Sequence, residues 1–158
     1  MTRLLPLAAL LLAAALPSAA SAQNPAADPT IAIAEDDPAM DAAIAEAQRT
    51  LPEFLAVLAD PPAGASDFTI KFPLGGWEHI WVSDLVLAGD RVTGTLANTP
   101  EQPDHRLGER VSVPLAEISD WGWRAPDGVM MGHRTTRVLF AELPDELVAA
   151  IREDFGWK

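Results

Sequence analysis

A long apolar run followed by a short alternating run marks residues 76–98 as the hairpin around which the chain is organised. From Trp77 to Leu87 nearly every position is aromatic, β-branched or aliphatic, which is typical of a strand that is buried on both faces or covered by a helix. Residues 91–97 alternate apolar and polar positions and predict a strand with one exposed face. A tight Ala-Gly-Asp turn joins the two strands.

Apolar residues at intervals of three and four predict an amphipathic helix before the hairpin. The stripe comprises Met40, Ile44, Ala47, Leu51, Phe54, Leu55 and Leu58. Asp37 and Pro38 are typical of an N-cap and a first helical residue. Pro52 interrupts the stripe and residues 50–53 fit a capping box, so we expect a kink or a restart near Thr50.

Further strands and a second helix complete the predicted fold. The other strands are expected at residues 68–74, 111–113, 121–124 and 129–140. Residues 98–109 form a polar surface loop, and Pro144 to Gly156 bounds a short C-terminal helix. We therefore expect an α+β fold in which the N-terminal helix and the short C-terminal helix pack on a curved, mainly antiparallel sheet of about six strands. Residues 38–158 are expected to form a single domain.

The first 22 residues have the pattern of a cleavable export signal. A positive start at Arg3 precedes an apolar run, and the Ala-Ser-Ala of residues 20–22 is typical of a signal-peptidase site. We expect cleavage between Ala22 and Gln23, a flexible lead-in over residues 23–37, and a periplasmic or secreted protein with no membrane segment left. The chain has no cysteine, so it uses no disulfide.

The net charge of the chain limits the classes of partner that it is expected to bind. The formal net charge is −12, and removal of Arg3 with the signal would make it −13. An acidic surface of this kind repels nucleic acid and anionic lipid and favours basic partners or none. Alternatively, the acidity only keeps a small exported protein soluble. We expect no nucleic-acid partner. The sequence leaves the oligomeric state open.

The segments at residues 76–100 and 108–121, followed by a Gly-rich segment ending in Thr-x-Arg, resemble the YegJ-like family of bacterial proteins, known as domain of unknown function 2314. The Glu-His-Ile-Trp and Ile-Ser-Asp-Trp pieces carry most of the resemblance, which covers roughly residues 40–143. The resemblance implies a small α+β domain that is sometimes exported, and it does not identify any catalytic residue. Where the family pattern leads us to expect Gly-Gly-aromatic-Thr, this chain has Gly132-His133-Arg134-Thr135. A looser similarity is to immunity proteins that neutralise toxins.

Three residues are candidates for catalysis, namely Glu78, His79 and Asp120. Glu78 and His79 are adjacent on a strand, so their side chains leave opposite faces and do not form a simple acid-base pair. A histidine buried among tryptophans, with a fixed hydrogen-bond partner, is the structural interpretation of His79. The alternative is a small hydrolase in which His79 activates water together with Asp120 or Glu78.

The sequence contains no motif that indicates a metal site or a cofactor site. The three histidines, His79, His105 and His133, are dispersed and form none of the spacings typical of zinc sites. There is no Gly-x-Ser-x-Gly, phosphate-binding loop or dinucleotide glycine motif. We therefore expect no bound metal and no cofactor.

Aromatic and basic residues concentrate late in an otherwise acidic chain. The candidate binding residues are Trp81, Trp121, Trp123, Arg124, His133, Arg134 and Arg137. Tryptophan rings beside guanidinium groups suit an anionic ligand or an acidic loop of a partner. Alternatively, the tryptophans are core and the arginines pair with surface carboxylates. The sequence thus favours a non-catalytic binding module for a periplasmic protein or small anionic ligand, with the hydrolase and a toxin inhibitor as alternatives.

Overall fold

The computed structural model describes residues 37–158, so the predicted signal peptide and most of the lead-in lie outside the described residues. The helices are α1 (Pro38–Ala59), α2 (Arg134–Leu139) and α3 (Asp145–Asp154). The strands are β1 (Ser66–Leu74), β2 (Glu78–Ala88), β3 (Arg91–Leu96), β4 (Arg110–Pro114), β5 (Asp120–Arg124) and β6 (Met130–Gly132). A single 3₁₀ turn, Leu115–Glu117, connects β4 to β5.

The six strands form one open antiparallel sheet in the order β4-β3-β2-β1-β5-β6. The N-terminal and C-terminal helices flank this sheet, which confirms the predicted α+β class. None of the helices within residues 37–158 combines the length and apolar character that a membrane crossing requires.

Helix α1 begins where the sequence predicts. The Asp37 carboxylate accepts hydrogen bonds from the backbone N–H groups of Ala39 and Met40, at 2.8 and 3.3 Å. The helix does not end near Thr50, as predicted, but the alternative of a restart there is wrong, because one helix continues through Pro52 to Ala59. The buried Thr50 hydroxyl donates to the Glu46 carbonyl, 2.7 Å away, so it bonds within its own helix instead of capping a new one.

The apolar core lies between α1 and one face of the sheet. Phe54 and Ile70 are fully buried, and the Phe54 ring stacks on Trp121 with centroids 5.2 Å apart. The Trp121 indole N–H donates to the Ala47 carbonyl at 3.0 Å. The other buried apolar side chains of this cluster are Leu51, Phe72, Leu74, Ile80, Val82, Val92, Leu96, Val113 and Ile118.

Strand β2 is buried on one face only, and α1 packs on that face. Of the two predicted arrangements, burial on both faces is therefore wrong, whereas cover by a helix is confirmed. Ile80 and Val82 point into the core, whereas His79 on the opposite face is exposed. The pairing with β3 shifts register between Ser83 and Val86, and Asp84 in this bulge has a φ of 52°. Beyond the bulge the strand reaches the hairpin tip, where Val86 and Leu87 are exposed.

The predicted strand over residues 129–140 is also wrong. Only β6 forms, and the chain then turns into α2 through Gly132 and His133, whose φ angles are 75° and 50°. A side chain on Gly132 would collide with the backbone and ring of Trp121. The turn therefore depends on a glycine, and it places His133 and Arg134 beside the sheet and on a helix instead of along a strand.

The chain end packs back on the sheet. Helix α3 follows Pro144 and closes before Gly156, as predicted. We call residues 155–157 the C-terminal segment. The Phe155 carbonyl accepts from Met130 N–H at 2.8 Å, and the Trp157 indole N–H donates to the Met130 carbonyl at 2.7 Å. The C-terminal segment thus lies against the outer edge of β6.

Candidate functional site

The sheet face opposite α1 carries a row of three residues at directly opposed positions. Lys71 on β1 lies between Trp81 on β2 and Asp120 on β5. The Lys71 ammonium is 5.2 Å from the Trp81 ring centroid and donates to Thr135 Oγ1 at 3.3 Å. Lys71 is only 8% exposed, so this face contains a buried cation above the sheet.

Asp120 holds the start of α2. Its carboxylate is fully buried and accepts from the backbone N–H of Trp121 at 2.8 Å. It also accepts from the backbone N–H and the hydroxyl of Thr135, at 2.8 and 2.7 Å. These three hydrogen bonds satisfy both carboxylate oxygens and give Asp120 a structural position instead of one facing a substrate.

His133 lies between two aromatic rings. Its imidazole centroid is 4.3 Å from the Trp81 ring and 4.9 Å from Phe155. The ring rests directly on Gly122, where an added Cβ would stand 2.2 Å from the imidazole. Burial, together with the nearby charges of Lys71, Arg137 and Arg124, lowers the pKa of His133 to about 3. His133 is therefore a neutral imidazole at physiological pH.

His79 lies on the same face but is exposed, so its expected burial among tryptophans is wrong. Trp77 is 58% exposed and does not enclose it. His79 Nδ1 is 2.9 Å from Ser119 Oγ, and that hydroxyl also donates to the Lys71 carbonyl at 3.2 Å. Desolvation of the imidazole and the charge of Lys71 lower the pKa of His79.

Glu78 anchors the loop over residues 98–109. Its carboxylate accepts from the Glu101 N–H at 2.8 Å and from Gln102 Nε2 at 3.2 Å. Glu78, His79 and Asp120 therefore have separate partners within the described residues, and no hydrogen bond joins any two of them. The serine beside His79 is itself buried.

Arg124 and Trp123 serve packing. The Arg124 guanidinium pairs with Asp67 at 2.7 Å and with Asp154 at 3.6 Å, and it donates to the carbonyls of Gly128 and Asp154. Arg124 thus fastens the end of α3 to β5. Trp123 stacks on Phe68 with centroids 5.8 Å apart, beside the buried Trp121. The two tryptophans of β5 belong to the core.

Arginines and rings of α2, α3 and the C-terminal segment form what we call the arginine–aromatic surface: Arg134, Arg137, Phe140, Arg152 and Trp157. The Arg137 guanidinium lies 3.5 Å from the Trp157 ring centroid, and that of Arg152 lies 5.4 Å from Phe140. Arg134 covers the edge of the core, with its guanidinium 4.4 Å from the Trp121 ring. Arg137 and Arg152 are exposed.

The charges of this surface act on one another. Desolvation lowers the pKa of Arg137, and the neighbouring Arg134 and Arg152 lower it further, while Asp120 opposes the shift. No carboxylate within residues 37–158 forms an ion pair with any of these three arginines. A chain with 23 acidic residues therefore keeps a group of positive charges without an acidic ion-pair partner in its described part.

The roles of several of these residues were not predicted from the sequence. Lys71 looks like an ordinary solvent-facing residue of an alternating strand, and Thr135 lies in the segment wrongly predicted as a strand. Trp157 follows the last predicted helix, where nothing in the sequence shows that the chain folds back. In residues 37–158 no three histidine, aspartate or glutamate side chains converge closely enough to hold a metal ion.

The comparisons place the chain among bacterial proteins. A putative ankyrin repeat protein of Neisseria meningitidis serogroup B is 33% identical over 70 residues, which is 44% of this chain and 27% of that protein. The match covers about a quarter of that relative's length. No solved structure matches the chain significantly.

The family comparison tests the resemblance seen in the sequence. A family model described as "uncharacterized protein conserved in bacteria (DUF2314)" matches residues 37–157. This confirms domain of unknown function 2314, whereas the YegJ-like name is not confirmed by it. The chain belongs to the DUF2314 family of uncharacterised proteins conserved in bacteria.

Proposed function

We propose that the protein is a non-catalytic interaction module that binds an acidic segment of a partner protein through the arginine–aromatic surface. The observation that carries this proposal is Arg137, an exposed guanidinium stacked on Trp157 with two further arginines beside it. In an acidic chain such a group of positive charges is a site for an anion supplied from outside.

The geometry of Arg137 suits a carboxylate. A guanidinium stacked on an indole keeps the N–H groups at its edge directed outward, and that planar fork matches a carboxylate with two parallel hydrogen bonds. No hydrogen bond joins the Arg137 side chain to another of the described residues. The aromatic ring also fixes the guanidinium, so less conformational freedom is lost on binding.

The surrounding negative charge adds selectivity. With a net charge of −12, the protein repels anions in general, so an acidic partner binds only where it reaches the arginines directly. We therefore expect a short-range contact with a defined acidic segment instead of broad attraction to polyanions. This expectation favours an acidic protein segment over nucleic acid as the partner.

The Neisseria relative supports an interaction role. It is named as a putative ankyrin repeat protein, and ankyrin repeats stack into extended surfaces used for binding. A segment similar to part of this chain therefore occurs in a protein named for a binding architecture. The hydrolase alternative gains no support, because Asp120 and Glu78 are engaged by backbone and loop groups.

We also propose that the protein acts in the periplasm or the medium. The support is the pattern of residues 1–22, with its positive start, apolar run and small residues before Gln23. N-terminal sequencing of the protein isolated from its bacterial host tests this proposal. A mature chain that starts at Gln23 is the expected result, and an intact Met1 in a cytoplasmic fraction contradicts it.

The binding proposal is tested with a defined probe and two charge reversals. The probe is a peptide of alternating glutamate and glycine, and its glutamine counterpart is the uncharged reference. Titration calorimetry measures both peptides against wild type, Arg137→Glu and Arg110→Glu. Arg110 is exposed on β4 at the opposite edge of the sheet, so it is the matched control.

We expect the glutamate peptide alone to bind, and Arg137→Glu to weaken its affinity roughly tenfold or more. The Arg110→Glu protein should bind as the wild type does. Equal loss in both variants would show that only net charge matters, and no binding of the glutamate peptide to wild type would also refute the proposal.

A further inference from the structure

Two buried polar atoms without partners lie on the sheet face opposite α1. They are His133 Nε2 and Thr69 Oγ1, and neither has a hydrogen-bond partner among the described residues. His133 as a whole is only 7% exposed. Buried hydroxyls and ring nitrogens in native proteins nearly always bond to protein or to ordered water, so this pair calls for an explanation.

The two atoms lie above the same point of the sheet. Thr69 on β1 is directly opposite Gly122 on β5, and side chains at such opposed positions lie about 5 Å apart. His133 Nε2 would be 2.3 Å from a Cβ built on Gly122. The imidazole nitrogen therefore occupies the place that a side chain opposite Thr69 would fill, within a few ångströms of the threonine hydroxyl.

The chemistry of this point favours a small neutral group. An imidazole and a hydroxyl are too few ligands for a zinc ion, and the nearby Lys71 ammonium opposes any cation. The Trp81 and Phe155 rings flank the imidazole, with centroids 4.3 and 4.9 Å from its own. The Met131 carbonyl oxygen, 3.2 Å from the same Cβ position, offers a further acceptor.

We propose that one internal water molecule bridges Thr69 Oγ1 and His133 Nε2. A buried water needs two to four polar partners, which these two atoms and the Met131 carbonyl provide. The bridge joins β1 to the residue that begins α2, across Gly122. It fixes the imidazole between Trp81 and Phe155, and it is independent of the partner-binding role.

Crystal structures of the wild type, Thr69→Ser and Thr69→Val test the bridge directly. We expect ordered density within hydrogen-bond distance of His133 Nε2 in the wild type and in Thr69→Ser, and none in Thr69→Val. A wild-type structure with a direct hydrogen bond between Thr69 and His133 would overturn the proposal. So would a dry site in the wild type, or a water that remains in Thr69→Val.

Thermal unfolding gives a second readout. Thr69→Val should lower the unfolding midpoint clearly more than Thr93→Val, which removes an exposed hydroxyl from β3. Thr69→Ser should unfold close to the wild type, because it keeps the hydroxyl. If Thr69→Val is as stable as the wild type, the Thr69 hydroxyl does not hold a water molecule that pairs with His133 Nε2. The proposal then fails.

Discussion

The imidazole of His133 and the indole of Trp81 lie against each other, with centroids 4.3 Å apart and planes inclined by 33°. Trp81 comes from the middle of the sheet, and His133 from the turn that starts α2. Their contact spans β1 and β5, so it ties the helical part of the chain to the centre of the sheet. The same contact helps to bury the imidazole, and burial keeps the ring neutral by lowering its pKa.

The free energy of unfolding should rise with pH between about 3 and 6.5, because His133 is neutral in the folded protein and still protonated in the unfolded chain over this range. The folded pKa is about 3 and the usual value is 6.5, so between these values the unfolded state binds more protons. The stabilisation by neutral His133 is complete above about pH 6.5 and is lost as pH falls toward 3. Urea unfolding between these limits should show a slope of up to about 1.4 kcal/mol per pH unit from this residue.

His133→Asn should remove most of that slope, because asparagine does not titrate and tolerates the positive φ of this position. His79→Asn is the matched control. Its pKa is also lowered, but its side chain is exposed, so we expect a smaller change. A slope unaltered by His133→Asn would contradict the neutral, buried imidazole.

Gly122→Ala should destabilise the protein by about 1–3 kcal/mol, because the new methyl group meets the His133 ring at 2.2 Å. The smaller side chain of His133→Asn should relieve this overlap. Chemical denaturation of both single variants and the double variant gives the coupling energy between the two positions. Additive effects would show that Gly122 is not needed to seat the imidazole.

Asp120→Asn should cost about 2–4 kcal/mol of the free energy of unfolding. All three groups that hydrogen-bond to this carboxylate are donors. The amide nitrogen of asparagine is also a donor, so a hydrogen bond is lost wherever that nitrogen faces one of them. Asp104→Asn, in the exposed loop, is the control and should cost less than about 0.5 kcal/mol. Equal stability of the two variants would refute the capping role of Asp120.

Lys71→Met should raise the pKa of His79, as followed by NMR titration of the ring protons. Desolvation is the larger cause of the lowered pKa and remains in the variant, so the rise should be partial. Arg106→Met, in the exposed loop, removes a charge elsewhere and should leave this titration unchanged. No difference between the variants would show that Lys71 does not act on His79.

The sequence predicted those elements whose formation depends on local chemistry. Asp37 before Pro38 gives the helix start, because its carboxylate bonds the first free N–H groups. The alternation of Ile70, Phe72 and Leu74 gives β1 and its core face. In these cases the residues that specify the element are also neighbours in the chain, so the pattern alone is sufficient.

The predictions were wrong where the structure of a segment depends on residues that are distant in the sequence. Residues 134–139 contain two threonines and a valine, which favour a strand, but Asp120 bonds Thr135 from another strand and fixes a helix there. The sequence predicts burial of His79 because Trp77 and Trp81 flank it, yet Trp77 is itself exposed and does not enclose the imidazole. The arginine–aromatic surface depends on Trp157, whose position follows only from the return of the chain end.

That return has a practical consequence for handling the protein. Met130 N–H and its carbonyl are both bonded by the C-terminal segment, so the free edge of β6 is shielded from pairing with a second molecule. A truncation before Phe155 would uncover this edge together with the His133 ring and invite aggregation. An affinity tag fused after Lys158 would lie next to Trp157, whose ring contacts Arg137, and would therefore obstruct the arginine–aromatic surface.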